Sequence, residues 1–485
     1  MISFPWPFFG DDWFTFFIFL FIVLVIIGIS ESIKFYFFLQ NEHIRKIVHV
    51  VVGVLCSISP NLFQSNIQPI ILGFIFLILN FIALKTNKFK AMHSLDRASY
   101  GTIYFPISYI ILTSFFWEFP NYITISLVLL SVADPLASLV GQNISNSYYI
   151  YPWYDKKSIQ GTTTMFLSSF TIVYILAPNI FPYEDQNIFK FSFFLASLTT
   201  LAELISHKGS DNLSIPVLSF IGIHCYRTTL INFELIMIVI IIFFLIAYYF
   251  QFVDFSGLCG GCIMGLIITS MGGLKYLIPL CSFFILSSLI GKIIGLSQNV
   301  YSKNPKRNIV QVLANGLVSL IICVVGFFTK NDGVLYFLFL SSVSAANSDT
   351  WATEIGKLSK TKPVSIINFK ITEAGFSGGI TAIGTLGSFL GSITIGSIGY
   401  LLGVDVTIFI GIVITGFLGA LVDSILGATL QAKYTNLDGK MSEIALENYE
   451  HTSGVKWMGN NFVNFICTLS APLLMYLFLL CFYFS

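Results

Sequence analysis

The sequence predicts an all-α polytopic integral membrane protein made of two tandem helical bundles. Three observations predict it. Of 485 residues, 55% are hydrophobic and only 10% are charged, where a soluble domain carries about 25% charged residues. Apolar runs near the roughly 20 residues that a spanning helix needs recur from end to end. A set of polar motifs also occurs twice in the same order, once in each half. A helix satisfies its own backbone in hydrocarbon, and these runs are too long for barrel strands. The net charge of +1 gives no nucleic-acid footprint.

The individual spans follow from the apolar runs. In the first half they lie near 13–30, 47–63, 67–84, 103–117, 122–140, 162–180 and 189–206. In the second they lie near 232–252, 257–273, 275–295, 309–328, 333–348, 378–400, 406–430 and 458–482. About 14–15 transmembrane helices result. The polar piece 207–231 divides the sets, so the expected domains are 1–230 and 231–485. The Gly-rich stretch Gly257–Gly273 is a candidate re-entrant segment. Asp11 and Asp12 precede the first apolar run where a signal peptide would carry Lys or Arg, so that run reads as a retained helix. The eight cysteines are scattered through apolar segments. Cys259 and Cys262 lack the further ligands of a zinc site and read as small core residues.

Charge sets the expected orientation. The loops with Lys34, Arg45 and Lys46, with Lys85, Lys88, Lys90 and Arg97, and with Lys156 and Lys157 alternate with acidic loops around Asp11, Glu118 and Glu184. The N-terminus is expected outside, with the basic motifs at the cytoplasmic face. Lys34, Lys85, Lys88 and Lys90 read as topology anchors only.

The halves share four motifs. RKIVHV (Arg45–Val50) faces RNIVQV (Arg307–Val312), and DPLASLVG (Asp134–Gly141) faces DTWATEIG (Asp349–Gly356). KKSIQG (Lys156–Gly161) faces KITEAG (Lys370–Gly375), and Glu203 faces Asp423, each late in a helix. Four matches in one order point to an ancient duplication. An ionisable residue inside a membrane segment is costly and marks function. Asp134 with Glu203, and Asp349 with Asp423, are each suited to one Mg²⁺, which takes one or two carboxylates plus substrate phosphates. Arg45, Lys46, Lys156 and Lys157 supply charge for phosphate oxygens. Gly161 and the Gly375–Gly379 stretch are expected to open helices whose free N–H groups face an anion. Carboxylates, cations and helix starts together describe phosphoryl transfer on a lipid. The alternative reading of Asp134, before Pro135, is the cap of a broken helix. The glycines of Gly384–Gly399 read as packing contacts.

With these residues assembled, a resemblance is visible. RKIVHVVVG, RASYGTIYFP (Arg97–Pro106), SVADPLASLVG, KKSIQGTTTMF, and Glu203 with GSDNLSIP (Gly209–Pro216) resemble the phytol kinase and dolichol kinase family. These are membrane enzymes that phosphorylate isoprenoid alcohols, generally with CTP. The resemblance implies a nucleotide site at Asp134, Gly141, Lys156, Lys157 and Gly161, with Arg97, Asp211 and Asn212 in matching blocks. The second half resembles the phytyl-phosphate kinase family. It does so through QVLANG (Gln311–Gly316), SDTWATEIG, EAGFSGGITAIGT (Glu373–Thr385), VDSILGATLQ (Val422–Gln431) and GNNFVNF (Gly459–Phe465). That implies phosphate- or nucleotide-binding roles for Arg307, Gln311, Asn315, Glu354, Glu373, Gly375, Gly378, Gly379, Gln431, Asn460 and Asn461.

One difference between the halves has a chemical reason. The first has His49 where the second has Gln311, with Asn315 a turn further. An alcohol must lose a proton as it attacks and benefits from a base. A phosphate monoester is already anionic, and amides only orient it. His49, Asp134 and Asp211 are each candidates for that base. The expected function is a bifunctional kinase that takes a prenol to its monophosphate and then to its diphosphate, with CTP or another NTP and Mg²⁺. Its partners are the isoprenoid alcohol, its monophosphate, the nucleotide and the lipid bilayer. The competing readings are a cytidylyltransferase forming a CDP-lipid, and a lipid transporter or flippase suggested by internal repeats and broken helices.

Overall fold

The computed structural model describes residues 12–37, 41–86, 100–144, 149–150, 155–181, 188–228, 233–297, 306–330, 332–372, 375–436, 441–446 and 448–482. The chain divides into two compact units, Met1–Leu235 and Ile236–Ser485.

Unit 1 runs α1 (Asp12–Phe37), α2 (Asn41–Leu62), α3 (Ile67–Thr86), α4 (Gly101–Phe115) and α5 (Pro120–Val128). A π-helical turn, Leu129–Ala133, leads into α6 (Asp134–Asn143). The short strands β1 (Tyr149–Ile150) and β2 (Lys157–Ser158) precede α7 (Ile159–Leu176), α8 (Ile188–Leu204) and α9 (Asp211–Thr228). Asp12 fixes the first connection, because its carboxylate accepts from the backbone N–H of Gln64 at 3.0 Å and of Ser65 at 2.9 Å. The segment α5–π-turn–α6 packs against α2, α7 and α9. The α2 contact is close because Gly53 faces Ser131, where a Cβ would overlap the hydroxyl.

The boundary between the units falls inside α10 (Phe233–Tyr249). Then follow α11 (Phe255–Ser297), α12 (Ile309–Thr329), α13 (Asp332–Gly356), the hairpin strands β3 (Val364–Ser365) and β4 (Gly379–Ile380), α14 (Ala382–Leu401) and α15 (Val406–Thr429). The antiparallel strands β5 (Lys433–Asn436), β6 (Met441–Ser442) and β7 (Tyr449–Ser453) pair in the order β6–β5–β7, and α16 (Asn460–Phe482) closes the unit. Helix α13 packs against α12, α14, α15 and α16. Several of its polar side chains are matched across the helix contacts. Asn347 donates to the Gly391 carbonyl at 2.8 Å and accepts from Ser287 at 3.0 Å. Ser341 meets Thr415 at 2.7 Å, and Ser348 donates to the Ser388 carbonyl at 2.6 Å. A polar helix can lie among apolar ones only when its groups are satisfied in this way.

The all-helical membrane architecture is as the sequence predicts. The details differ in two places. Among the described residues ten helical segments are long and apolar enough to cross a membrane, and Gly101–Phe115 and Leu235–Tyr249 are shorter apolar helices. The piece expected to separate the halves holds α9, which packs on α4, α5 and α8 inside unit 1. The spans drawn at 257–273 and 275–295 are two helical arms that meet, as drawn, at Gly273, whose φ of 68° and ψ of −166° are open to glycine.

The glycines of α14 are packing contacts, as expected. A Cβ on Gly391 would sit 3.0 Å from the Asn347 carbonyl oxygen and 3.0 Å from Ser348 Cα. Gly391→Leu is expected to cost about 1–3 kcal/mol through overpacking, read as a lower thermal midpoint in detergent. Gly333→Ala, where a Cβ meets nothing within 4 Å, should leave the midpoint unchanged.

Candidate functional site

Each unit builds the same local device. In unit 1 the Asp134-x-x-Ala137-x-x-x-Gly141 helix crosses the start of α7 at Gly161. A Cβ on Gly161 would lie 3.0 Å from the Ala137 carbonyl and 3.4 Å from Gly141 Cα, with Ser158 between them. Ser158 caps α7 by accepting from the Gly161 N–H at 3.1 Å. In unit 2 the Asp349-x-x-Ala352-x-x-x-Gly356 helix crosses the start of α14 at Gly384. A Cβ there would lie 3.0 Å from the Ala352 carbonyl and 3.3 Å from Gly356 Cα. Thr381 caps α14 by accepting from the Gly384 N–H at 3.0 Å. In both units a short strand leads straight into the capped helix.

This geometry corrects the expected register. The partner of Ser158-x-x-Gly161 is Thr381-x-x-Gly384, not the KITEAG stretch. Gly375, Gly378 and Gly379 therefore do not open a helix. Gly378 sits in a turn with φ of 83°, pressed on Ala428, and Gly379 begins β4. Gly375, with φ of 94°, has open space around its Cα. In the corrected register Lys157 of unit 1 is matched by Ile380, so unit 2 has no lysine at that place.

Around the unit 1 device the acids and bases converge. Asp134 is the first residue of α6, directly after the π-helical turn, and such turns mark functional sites in helices. Asp211, Glu203, Lys157 and Arg45 all lie within electrostatic reach of it. Lys157 Nζ donates to Glu203 Oε1 at 2.5 Å. Burial works against the Lys157 charge, but Glu203, Asp211 and Asp134 outweigh it and raise its pKa above the ordinary value. Glu203 is only 8% exposed, and its Oε2 has no hydrogen-bond partner among the described residues. His49 lies near Asp211 and Arg45, its Nε2 3.4 Å from the Leu130 carbonyl. Asp211 starts α9 and accepts from the Asn212 N–H at 2.9 Å, which leaves Asn212 Oδ1 buried and unpartnered. Two expected phosphate cations have local partners. Lys46 donates to Gln142 at 2.7 Å, and Lys156 Nζ lies 3.4 Å from the centre of the Tyr149 ring.

In unit 2 the carboxyl groups of Asp349 and Asp423 are in hydrogen-bonding contact. They come from α13 and α15. In the orientation that satisfies its neighbours, the Asn464 amide of α16 donates to Asp423 Oδ1 at 3.3 Å and to the Asn460 carbonyl at 3.0 Å. Asn460 and Asn461 sit at the start of that helix. Gln431 follows α15, is 1% exposed, and has neither amide atom hydrogen-bonded. Other expected residues have structural duties. Gln311 accepts from the Asn308 N–H at 3.1 Å in a capping box, and Asn315 donates to the Gln311 carbonyl at 3.1 Å. Glu354 accepts from Lys357 at 2.8 Å. Arg97 and Glu373 lie outside the described residues.

Two contributors carried no readable signal. Glu443 accepts from the Ser377 N–H at 2.6 Å and from its hydroxyl at 2.9 Å, and it lies within electrostatic reach of Asp423. Asp155 accepts from the Lys208 N–H at 3.1 Å and pairs with His207 at 2.8 Å, tying the strand before α7 to the entry of α9. Both contacts span more than 50 residues of chain, so no local pattern announces them. Among the described residues no three His, Cys, Asp or Glu side chains are grouped closely enough to hold a metal alone.

Residues 238–472 match the family described as "Integral membrane protein DUF92". The chain is 38% identical over 182 residues to the uncharacterized membrane protein MJ0933 of Methanocaldococcus jannaschii, covering 37% of this chain and 75% of that protein. It is 27% identical over 179 residues to the phytol kinase of Synechocystis sp., covering 36% of this chain and 76% of that enzyme. It is 29% identical over 159 residues to Protein PGR of Arabidopsis thaliana, covering 29% of this chain and 54% of that protein. No solved structure matches.

Proposed function

The chain belongs to the DUF92 family of integral membrane proteins, and from that membership we propose that it is a fused, two-step isoprenoid kinase. Unit 1 transfers a phosphoryl group from CTP or another NTP to a prenol. Unit 2 transfers a second to the resulting monophosphate. Both sites face the cytoplasmic side, and the greasy tail keeps the intermediate in the bilayer between steps. Joining the steps on one chain raises the effective concentration of that intermediate.

The observation that carries this reading is the buried cluster of Asp134, Glu203, Asp211 and Lys157 beside the capped start of α7. Phosphoryl transfer is mostly positioning and charge stabilisation. Lys157 and Arg45 hold positive charge for the phosphates, and the free N–H groups at the start of α7 add to it. His49, between Asp211 and the Leu130 carbonyl, accepts the alcohol proton. The name of the Synechocystis relative, phytol kinase, points to the same substrate class.

Mg²⁺ fits both units on separate observations. Glu203 Oε2 is a buried oxygen without a partner. Asp349 and Asp423 touch each other, and two carboxyls in contact need a shared proton or a cation. Two protein carboxylates with substrate phosphates are the usual Mg²⁺ set. Bound there, the ion would neutralise charge on the transferring phosphoryl group.

The test is purified full-length protein in nanodiscs with labelled CTP and phytol, farnesol, geranylgeraniol or a long polyprenol. Prenyl monophosphate and diphosphate are expected, with release of CDP. Formation of CDP-diacylglycerol and pyrophosphate from phosphatidate would replace the proposal with a cytidylyltransferase.

A further inference from the structure

Unit 2 contains a crevice between α10, both arms of α11, and α12. Its walls are apolar, with Phe243 on α10, Met264 and Phe284 on α11, and Val312 on α12 among them. It opens beside the face of α10 that carries the exposed Ile238, Val239 and Ile242. In a membrane that face meets lipid, so the way in is through hydrocarbon.

Three polar residues are among those that line the crevice. Arg307, Gln311 and Asn315 recur every fourth residue along one side of α12 and its lead-in. Arg307 is held by its backbone, whose N–H donates to the Phe252 carbonyl at 3.1 Å and whose carbonyl accepts from the Asp254 N–H at 3.1 Å. The guanidinium lies over the rings of Phe283 and Phe284, at 5.7 and 5.6 Å from their centres. It makes no ion pair or side-chain hydrogen bond among the described residues, and the Glu354 carboxylate near it is taken by Lys357. Guanidinium cannot be deprotonated in a protein and offers five donors. A partly buried one with no partner is an anion seat.

Helix α16 links α12 to the acid pair. Thr468 of α16 donates to the Ala314 carbonyl at 3.4 Å, beside Asn315. Asn464, one turn away on the same face of α16, reaches Asp423. An apolar slot entered from the bilayer and headed by an unpaired cation fits one kind of molecule: a long apolar chain with a single anionic head. A free nucleotide would leave the slot empty, and a neutral prenol would leave Arg307 unpaired.

We propose that this crevice seats the chain of an isoprenoid monophosphate and that Arg307 holds its phosphate, so that unit 2 selects the monophosphate over the alcohol. The identity of the chain rests on the kinase reading above, but the site can be tested without turnover. The probe is geranylgeranyl monophosphate carrying a diazirine on its chain, irradiated with the full-length protein in phosphatidylcholine nanodiscs without nucleotide. Cross-links are expected on residues of α10, α11 and α12 that line the crevice. Unlabelled geranylgeranyl monophosphate should compete at least tenfold better than geranylgeraniol. Arg307→Gln should remove that preference. Cys281→Phe, which fills the slot, should cut crevice labelling severalfold. Labelling elsewhere, equal competition by the alcohol, or displacement by phosphatidate as effective as by the monophosphate would overturn the proposal. Crevice labelling by a protein that transfers no phosphate would sink the kinase reading and leave the site standing. Kinase activity with labelling elsewhere would do the reverse.

Discussion

Asp134→Asn is expected to abolish phosphorylation of a prenol by the full-length chain and to leave conversion of supplied prenyl monophosphate intact. The substitution is nearly isosteric and keeps a hydrogen-bonding group at the start of α6, so the helix crossing at Gly141 and Gly161 is preserved. What it removes is the charge. Asp134 stands within electrostatic reach of Lys157 and Arg45 on one side and of Glu203 and Asp211 on the other. Without it the cluster has one fewer carboxylate for a cation, and Lys157 loses part of what holds its charge in a buried place. Removing one fixed electrostatic contributor to a transition state costs about 10²–10³-fold in rate. The measurement is labelled CTP with geranylgeraniol in one arm and geranylgeranyl monophosphate in the other, with the products separated by chromatography. Unchanged turnover of the alcohol would remove Asp134 from the reaction, and loss in both arms would contradict the division of labour between the units.

Asp423→Asn gives the opposite pattern, in which alcohol is consumed and monophosphate accumulates. Asp423 is buried at 8% exposure, touching Asp349 and facing Glu443 and Asn464. No basic side chain is salt-bridged to Asp423 or Asp349 among the described residues. An amide there keeps contact with Asp349 and cancels the negative charge that a cation would balance, so the fold is expected to survive while diphosphate formation falls about 10²-fold or more. Mixing the Asp134→Asn and Asp423→Asn proteins in one vesicle population should restore diphosphate, because the intermediate diffuses in the shared membrane. Diphosphate formation by Asp423→Asn alone at the wild-type rate would place the second step elsewhere.

Much of the site was legible because its signals are local. An aspartate in an apolar run stands out by composition alone, and Asp134, Asp349, Glu203 and Asp423 were found that way. The repeat was legible as Asp-x-x-Ala-x-x-x-Gly, since the Ala and Gly are spaced to share one helix face. Its next element was misaligned. KITEAG has the right letters, but the connection from Gly356 to the following helix is longer than the one from Gly141, and only the crossing at Gly384 shows where the second helix begins. Gln311 was read as a substrate group, yet the capping box is a local hydrogen-bond pattern that Asn308-x-x-Gln311 already spells out.

The sequence alone determined that this chain lives in a membrane, that it is a doubled unit, and which carboxylates are out of place in hydrocarbon. Those are properties of composition and short spacing, set within one helix. Only the tertiary structure decided that Lys157 spends its charge on Glu203, that Asp349 touches Asp423 while Glu443 reaches Ser377, and that Arg307 heads an apolar crevice without a counter-ion. Each of these joins helices or loops far apart in the chain. Such contacts arise from how whole helix faces pack, and packing depends on glycine crossings and buried polar pairs that no single stretch of sequence contains.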